Sequence, residues 1–234
     1  MGSKVDLSKE DIVRDIVELW DTVTVEEYDM LIKNLKIKRF KRNEIIYKDF
    51  ESPTCALCLI RGKVKIYKDG IGGRSQIIRV IKPIEFFGYR AYFAGEDYKT
   101  SAMAFEPCIV ATFPIEILIK LISSNTGVSK FFIHTLSREL GYSDDRTVSL
   151  TQKHIRGRLA EALLFLKESY GLEEDGYTLS IYLGREDLAN LSNMTTSNAI
   201  RTLSAFANEK IIAIDGRKIK IIDEKGLLKV STMG

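Results

Sequence analysis

Residues 184–222 read GREDLANLSNMTTSNAIRTLSAFANEKIIAIDGRKIKII. A helix-forming pattern over 185–191 is followed by a short polar break at 192–194. A second helical pattern then begins at Thr195, a residue type that often caps helix N-termini. Two β-rich runs follow, on either side of Asp-Gly at 215–216. Helix, turn, helix and hairpin in this order predict a winged helix-turn-helix.

The second helical pattern has an apolar side and a polar side. Ala199, Leu203 and Phe206 recur at i, i+4 and i+7, which predicts a buried stripe. Hydroxyl groups and a bidentate arginine on the opposite side suit base edges in the DNA major groove, so we predict a recognition helix. The residues on that side are Thr196, Ser197 and Arg201.

The predicted hairpin is basic. Asp-Gly at 215–216 indicates a type I′ turn, and Arg217, Lys218 and Lys220 supply cations for DNA phosphates. The alternative is a helical pair packed on a hairpin for structural reasons alone. The DNA interpretation is preferred because both the helix face and the hairpin carry suitable groups. The candidate DNA contacts are Arg185, Thr195, Thr196, Ser197, Asn198, Arg201, Arg217 and Lys218.

Composition indicates a soluble protein with room for two domains. The chain has 234 residues, 45% hydrophobic and 29% charged. Its net charge is +3; residues 151–234 hold 12 basic and 11 acidic residues, which leaves a net +2 in the first 150. DNA contacts must therefore come from local cations. No apolar run reaches membrane-span length and the first residues lack a secretory signal, so we expect a cytoplasmic protein without membrane contact.

The cysteines do not predict a disulfide or a metal centre. Their odd number argues against a disulfide framework. Cys55-x-x-Cys58 has the spacing of a metal or iron–sulfur motif, but in a strand this spacing places the two thiols on opposite faces. Only Cys108 remains as a further thiolate ligand. We therefore expect core cysteines and no metal site.

Residues 37–113 have the pattern of an antiparallel β-domain. Short runs rich in Ile, Val, Tyr and Phe alternate with glycine-marked turns at 61–63, 69–73 and 94–97. Many short strands at this spacing predict a barrel or sandwich. The stretch 82–100 breaks the rhythm, and such interruptions commonly form ligand loops.

A long amphipathic helix is predicted at about 126–150, capped by Ser-Ser-Asn at 123–125. Its apolar stripe must be buried against its own barrel or against the same helix of a second copy, and both can hold along different lengths. Other expected segments are helices over 8–36, 114–121 and 155–170, a hinge at 151–153 and a strand at 177–183. The expected domains are 1–125 for the N-terminal helices and sensor barrel, 126–153 for the dimerisation helix and hinge, and 154–234 for the DNA-binding domain.

This order of elements resembles the Crp/Fnr family of bacterial transcription regulators. The resemblance implies an α+β fold with an N-terminal double-stranded β-helix (jelly-roll) of the cyclic-nucleotide-binding type, a long dimerisation helix and a winged helix-turn-helix. It covers nearly the whole chain. Its best local matches are Ile60-Arg61-Gly62-Lys63-Val64, Phe86-Phe87-Gly88, Gly157-Arg158-Leu159-Ala160 and residues 185–203.

Members of the family that bind cyclic AMP carry Phe-Gly-Glu and, a dozen residues later, Arg-Ser-Ala, which supply a carboxylate for the ribose and an Arg for the cyclic phosphate. Here Tyr89 stands in place of the Glu and Thr100 in place of the Arg, with Lys99 one position earlier. The resemblance therefore implies a degenerate cassette and an effector other than cyclic AMP. The candidate effector pocket comprises Phe87, Gly88, Tyr89, Arg90, Lys99, Thr100, Ser101, Ser143 and Asp144.

Two alternatives for the loop are equal: a pocket that binds another, anionic phosphate compound through Arg90, Tyr98 and Lys99, and a solvated loop that carries the same residues. Two alternatives remain for the function of the whole protein: a haem- or metal-based redox or gas sensor of the same architecture, and an effector-independent regulator. The two histidines, His134 and His154, fall on or beside the long helix, outside the pocket loop.

The resulting expectation is a homodimeric regulator of transcription that binds double-stranded promoter DNA and pairs through residues 126–150. An effector in the barrel would shift the long helices and the hinge. The resemblance further implies contact with RNA polymerase, through the loop at 171–177. No cofactor is expected. No enzyme activity is expected either, because the chain offers no nucleophile–base spacing and no glycine motif for phosphates.

Overall fold

The computed structural model describes residues 7–70 and 73–233. Two compact units are present: one runs to Lys68 and takes in Ile78–Leu140, and the other comprises Asp69–Ile77 and the chain from Gly141 onward. Positions 71 and 72 of the predicted turn lie outside the described residues. Among the described helices, none is long and apolar enough to cross a membrane.

Within the described residues 36–70 and 73–114, eight strands form two four-stranded sheets, ordered β1-β8-β3-β6 and β2-β7-β4-β5. The central pair β3·β8 is antiparallel and runs from Cys55↔Pro114 to Arg61↔Ile109. The prediction of an antiparallel barrel or sandwich is therefore confirmed, and the arrangement is a sandwich of two sheets. The strands are β1 Lys36–Phe40, β2 Ile45–Tyr47, β3 Cys55–Arg61, β4 Val64–Asp69, β5 Ser75–Ile81, β6 Glu85–Phe87, β7 Ser101–Ala104 and β8 Cys108–Pro114.

Strand β3 is buried on both faces because its side chains alternate between two apolar clusters. Leu57 and Leu59 belong to the cluster that fills the space between the two sheets, and Cys55 packs against it. Cys58 and Ile60 belong to a second cluster, shared with the surrounding helices. The two thiols therefore lie on opposite faces, as predicted, and cannot bind the same metal ion.

Two short helices, α1 Lys9–Val17 and α2 Val25–Asn34, cover the second cluster. The start of α2 is a capping box, in which Thr24 Oγ1 accepts from Glu27 N at 3.2 Å and Glu27 Oε2 accepts from Thr24 N at 3.0 Å. Trp20 lies between the two helices and stacks on Phe86 with ring centroids 6.1 Å apart. It is 5% exposed, so the helices seal this side of the sheet.

Helix α5, Thr126–Gln152, follows α3 Arg90–Phe93 and α4 Ile115–Ser124. Asn125 caps it as predicted, since its Oδ1 accepts from Gly127 N at 2.9 Å. Val128 and Phe132 are buried in the second cluster. Ile133 and Leu140, on another face of α5, are each 65% exposed. One face of α5 thus packs on the sandwich, and a second apolar face is left open.

The C-terminal part of the chain is mostly helical. The helix-turn-helix and hairpin predicted between residues 184 and 222 are present. The final helix α9 was not predicted, and its Leu227 is fully buried. The elements are α6 Ile155–Tyr170, α7 Arg185–Leu191, α8 Thr196–Asn208, β9 Ile212–Asp215, β10 Lys218–Ile221 and α9 Glu224–Met233.

The predicted strand at 177–183 is wrong. This segment makes only isolated bridges, Leu172↔Leu179 and Thr178↔Lys220. Pairing with β10 stops at Leu179, whose N–H donates to the carbonyl oxygen of Ile219 at 2.9 Å, whereas Ser180 N donates to the carbonyl oxygen of Gly171 at 3.2 Å. Before it, Asp175 Oδ1 accepts from the backbone N–H of Tyr177 at 3.0 Å and of Thr178 at 2.8 Å. These amides close an Asx-type turn and are not available to a sheet.

Candidate nucleic-acid interface

Helices α7 and α8 are joined by a tight turn that fixes their relative orientation. Asn193 in this turn adopts a left-handed φ of 49°, a conformation that Asn tolerates better than most residues. Thr195 Oγ1 accepts from Asn198 N at 3.2 Å, which confirms Thr195 as the N-cap of α8. Met194 is 5% exposed and anchors the turn in the core.

Helix α8 has the two faces that the sequence predicts. Ala199, Leu203 and Phe206 are buried, and Thr202 joins them at 5% exposure. The N-terminal half of the opposite face is therefore free to enter a groove of DNA. The exposed residues of that face are Thr196, Ser197, Ile200, Arg201 and Ser204.

Arg201 is oriented by its own helix. Its Nη2 donates to Asn198 Oδ1 at 2.7 Å. This contact pre-positions the guanidinium while leaving further N–H groups for a base edge. Asn198 itself is half-buried.

Two arginines outside the candidate DNA contacts hold α8 and the turn in place. Arg156 on α6 forms a bidentate pair with Glu209 at 2.8 and 2.7 Å, and its guanidinium lies 4.9 Å from the centre of the Phe206 ring. The hydrogen bonds to Arg156 lower the pKa of Glu209. Arg158, within a matched motif, donates to the carbonyl oxygens of Leu150 and Asn193, each at 3.1 Å.

The hairpin turn differs from the predicted type. Asp215 pairs with Lys218, so Gly216 and Arg217 are the two central residues. Gly216 has a φ of 56°, and Arg217 does not take a positive φ. A positive φ at the first central position alone fits a type II′ turn; the predicted type I′ needs it at both, with Asn or Gly at the second. Arg217 stands exposed at the tip.

The other hairpin cations are partly neutralised. Lys218 Nζ lies 3.5 Å from Glu173 Oε2 and 5.2 Å from the centre of the Tyr182 ring. Lys220 Nζ lies 3.2 Å from Asp175 Oδ2. Hydrogen bonds from the Thr178 side chain and backbone hold the pKa of Asp175 far below its usual range.

The loop at 82–100, proposed as the effector pocket, is filled by side chains of the protein itself. Gly88 has a φ of 78°, and a Cβ there would lie 3.0 Å from Leu57 Cδ1 and 3.3 Å from the Tyr98 hydroxyl. Tyr98 stacks on Tyr47 with ring centroids 3.9 Å apart. Phe87 belongs to the cluster between the sheets. The loop is therefore packed from inside by aromatic rings.

Tyr89, at the position of the missing Glu, points into the second apolar cluster. It is 1% exposed, packs against Phe132 at 5.0 Å between ring centroids, and donates to Glu139 Oε1 at 3.5 Å. Glu139 also pairs with Arg79 Nη2 at 2.6 Å. Burial is the main cause that raises the pKa of both Glu139 and Tyr89.

The basic groups of the loop are paired with one acid. Arg90 Nη1 lies 2.9 Å from Glu96 Oε1, and Lys99 forms an ion pair with the same carboxylate. Ser101 is buried and its hydroxyl accepts from Asp49 N at 3.0 Å. Thr100 is half-buried. Ser143 and Asp144 are exposed on α5, in the second unit.

Comparisons with known proteins match both parts of the chain. The cyclic nucleotide-binding domain model matches residues 37–125, and the Crp-like helix-turn-helix domain model matches 157–230. A CRP-like cAMP-activated global transcriptional regulator from Mycobacterium tuberculosis is 24% identical over 85% of this chain and 89% of its own. A global nitrogen regulator from Synechococcus elongatus is 23% identical over 82% and 88%.

The fold matches as well. The structure of FixK2 from Bradyrhizobium japonicum has a TM-score of 0.77 at 21% identity and covers 86% of this chain and 98% of that one. A cyclic nucleotide-binding domain followed by a helix-turn-helix domain defines a class of DNA-binding transcription regulators. The chain belongs to the Crp/Fnr family of these regulators.

Proposed function

We propose that the protein binds promoter DNA with Ser197 and Arg201 of α8 at the base edges and Arg217 at a phosphate. Three observations support this assignment: α8 presents its polar face to solvent, Asn198 orients Arg201, and Arg217 is exposed at the hairpin tip. Arg185, Thr195, Thr196, Asn198 and Lys218 complete the proposed interface as groups that position these three or contact phosphates.

Selection of bound sequences from a randomised duplex library, at fixed near-physiological salt, tests this proposal. Arg201→Ala is expected to cost about 1–3 kcal/mol of specific binding and to change the selected bases. The matched control, Arg217→Ala, is expected to weaken binding evenly across sequences and to reduce its salt dependence. A library that yields no preferred sequence contradicts the proposed function.

The protein is proposed to act as a homodimer paired through α5. Ile133, Leu140 and Val148 on this helix are 65%, 65% and 52% exposed. They recur at a spacing of seven and eight residues, close to the repeat of a helix pair. An isologous pair of α5 helices would bury this stripe and present two α8 helices to two half-sites one helical turn of DNA apart.

Sedimentation velocity distinguishes a dimer from a monomer. Leu140→Glu is expected to shift the wild-type dimer to the mass of one chain, since it places a charge in the proposed seam. Val25→Glu is the matched control, because Val25 is 73% exposed on α2. Equal masses for the wild type and both variants would exclude α5 as the seam.

The barrel is proposed to respond to something other than cyclic AMP. The M. tuberculosis relative is described as cAMP-activated. In this chain, however, the acceptor position holds the buried Tyr89, and Arg90 and Lys99 are paired with Glu96. No carboxylate stands at the ribose position, and the loop cations are already neutralised.

Fluorescence anisotropy of a selected operator, with and without cyclic AMP, tests this part. Binding that is unchanged by cyclic AMP is expected. A rise in affinity with cyclic AMP would mean that the altered cassette still accepts the nucleotide.

The two matched domains support the proposed division into 1–125, 126–153 and 154–234. Contact with RNA polymerase is proposed for the surface loop at 171–177, by analogy with the family.

A further inference from the structure

An aliphatic side chain stands on the polar face of the recognition helix. Ile200 is 46% exposed, and its neighbours on this face, Ser197 and Arg201, are both polar and exposed. Within Thr196–Asn208, all of which the structure describes, it is the one exposed aliphatic residue. Ile200 is the fifth residue of α8, within the N-terminal two turns that approach bases in helix-turn-helix proteins.

The packing of the domain does not account for Ile200. The buried stripe of α8 is complete with Ala199, Leu203 and Phe206. An open groove beside α8, of about 760 Å³, is lined on this helix by Asn198, Arg201, Thr202 and Ala205, and Ile200 does not line it. Branching at Cβ also gives Ile a lower helix propensity than Ala, Lys or Arg at an exposed site.

The DNA major groove offers one apolar group to such a side chain, the C5-methyl group of thymine. Ser197 and Arg201 can form hydrogen bonds to base edges, whereas Ile200 can only exclude water from an apolar surface. We infer that Ile200 is a specificity-determining residue that reads a thymine methyl group in each half-site. This inference rests on the proposed binding of DNA by α8.

Replacement of thymidine by deoxyuridine removes the C5-methyl group of the base and leaves every hydrogen-bonding atom of the base pair in place. Each thymine of the selected operator is replaced in turn, symmetrically in both half-sites, and the affinity is measured by anisotropy. For the wild type, the substitution at one position is expected to lower the affinity about fourfold per half-site, which is the value of one buried methyl group. Ile200→Ala is expected to bind the thymine and deoxyuridine forms of that position equally well.

The cycle of two proteins and two duplexes isolates the contact. Loss of the methyl group also changes stacking within the duplex, so only the part of the effect that disappears in Ile200→Ala belongs to Ile200. Ile222→Ala is the matched control, since Ile222 is 50% exposed in the same unit but lies outside α8; it should keep the wild-type ratio. Arg201→Ala should lose affinity for both duplexes yet also keep the ratio.

Three results overturn the inference while leaving the proposed function intact: a selected half-site without thymine, a wild-type protein indifferent to every deoxyuridine, or an Ile200→Ala variant that keeps the wild-type ratio. Failure of the wild type to select any sequence is a different outcome, because it removes the DNA-binding role of α8 and the inference with it.

Discussion

Arg185, the first residue of α7, donates from Nη2 to the carbonyl oxygen of Gly216 at 2.9 Å. The contact joins the start of the helix-turn-helix to the turn between β9 and β10. Arg185 Nη1 is buried and has no partner within residues 7–70 and 73–233. Arg185 therefore ties the hairpin tip directly to the start of α7.

Arg185→Ala should displace the hairpin and destabilise its unit. We expect a loss of about 1–2 kcal/mol in the free energy of unfolding, typical of a hydrogen bond from a charged donor, together with weaker DNA binding. Urea unfolding followed by circular dichroism measures the first effect and operator anisotropy the second. Arg217→Ala, which removes a cation without this contact, should leave stability unchanged; equal losses in both variants would contradict the positioning role.

Arg146 should be essential to the end of α7. Its Nη2 donates to the carbonyl oxygens of Leu191 at 2.9 Å and of Ile77 at 2.5 Å, and burial lowers the pKa of its guanidinium. Arg146→Ala leaves these carbonyls without that donor, so we expect a loss of about 2–3 kcal/mol. Hydrogen exchange should accelerate in α7, whereas the exposed Arg74→Ala should leave it unchanged. Unaltered protection of α7 in Arg146→Ala would argue against a stabilising role for these two hydrogen bonds.

The N-cap of α8 can be tested by two substitutions. Thr195→Ala removes the acceptor for Asn198 N and should lower the free energy of unfolding by about 1 kcal/mol. Thr195→Ser keeps a hydroxyl and should retain most of the stability that the cap provides. Chemical denaturation of the three proteins gives both values, and a Ser variant as unstable as the Ala variant would count against capping.

Glu139 should make the stability of the barrel unit depend on pH. Burial raises its pKa despite the nearby Arg79, so the folded state binds a proton more tightly than the unfolded state. This contribution is fully present below the unfolded pKa, near 4.5, and is lost as the pH rises through the folded pKa.

Glu139→Gln, which does not titrate, should therefore gain stability relative to the wild type as the pH rises above about 4.5. Urea unfolding at several pH values between 4 and 8 measures this difference. Glu116→Gln, on α4, serves as the control. A difference that stays constant with pH would remove Glu139 from this role.

Periodic features were predictable because they depend on neighbours in sequence. The buried stripe of α8 and the opposite faces of Cys55 and Cys58 follow from the repeat of a helix or strand. The cap at Thr195 follows from its residue type at the start of a helix. The proposed strand at 177–183 failed because other acceptors compete for its amides: Asp175 takes those of Tyr177 and Thr178, and the carbonyl of Gly171 takes that of Ser180. A propensity pattern does not reveal that competition.

Contacts between distant segments could not be predicted from pattern. Arg146 donates to the carbonyl oxygens of Ile77 and Leu191, which lie 69 and 45 positions away along the chain. Nothing in the local sequence distinguishes it from a solvated arginine. The burial of Tyr89 under Phe132 likewise depends on where α5 lies against the sandwich. In both cases the tertiary fold decides whether a polar group is buried.

The stacking of Trp20 on Phe86 has a practical consequence. The chain contains one tryptophan, and it lies in the unit that carries the sandwich. Selective excitation of the indole therefore yields light from that unit alone, while the DNA-binding unit stays spectrally silent. Trp20 is therefore an intrinsic fluorescent probe of that unit. An effector that loosens the N-terminal helices would expose the indole to water and shift its emission maximum to longer wavelength, without any added dye.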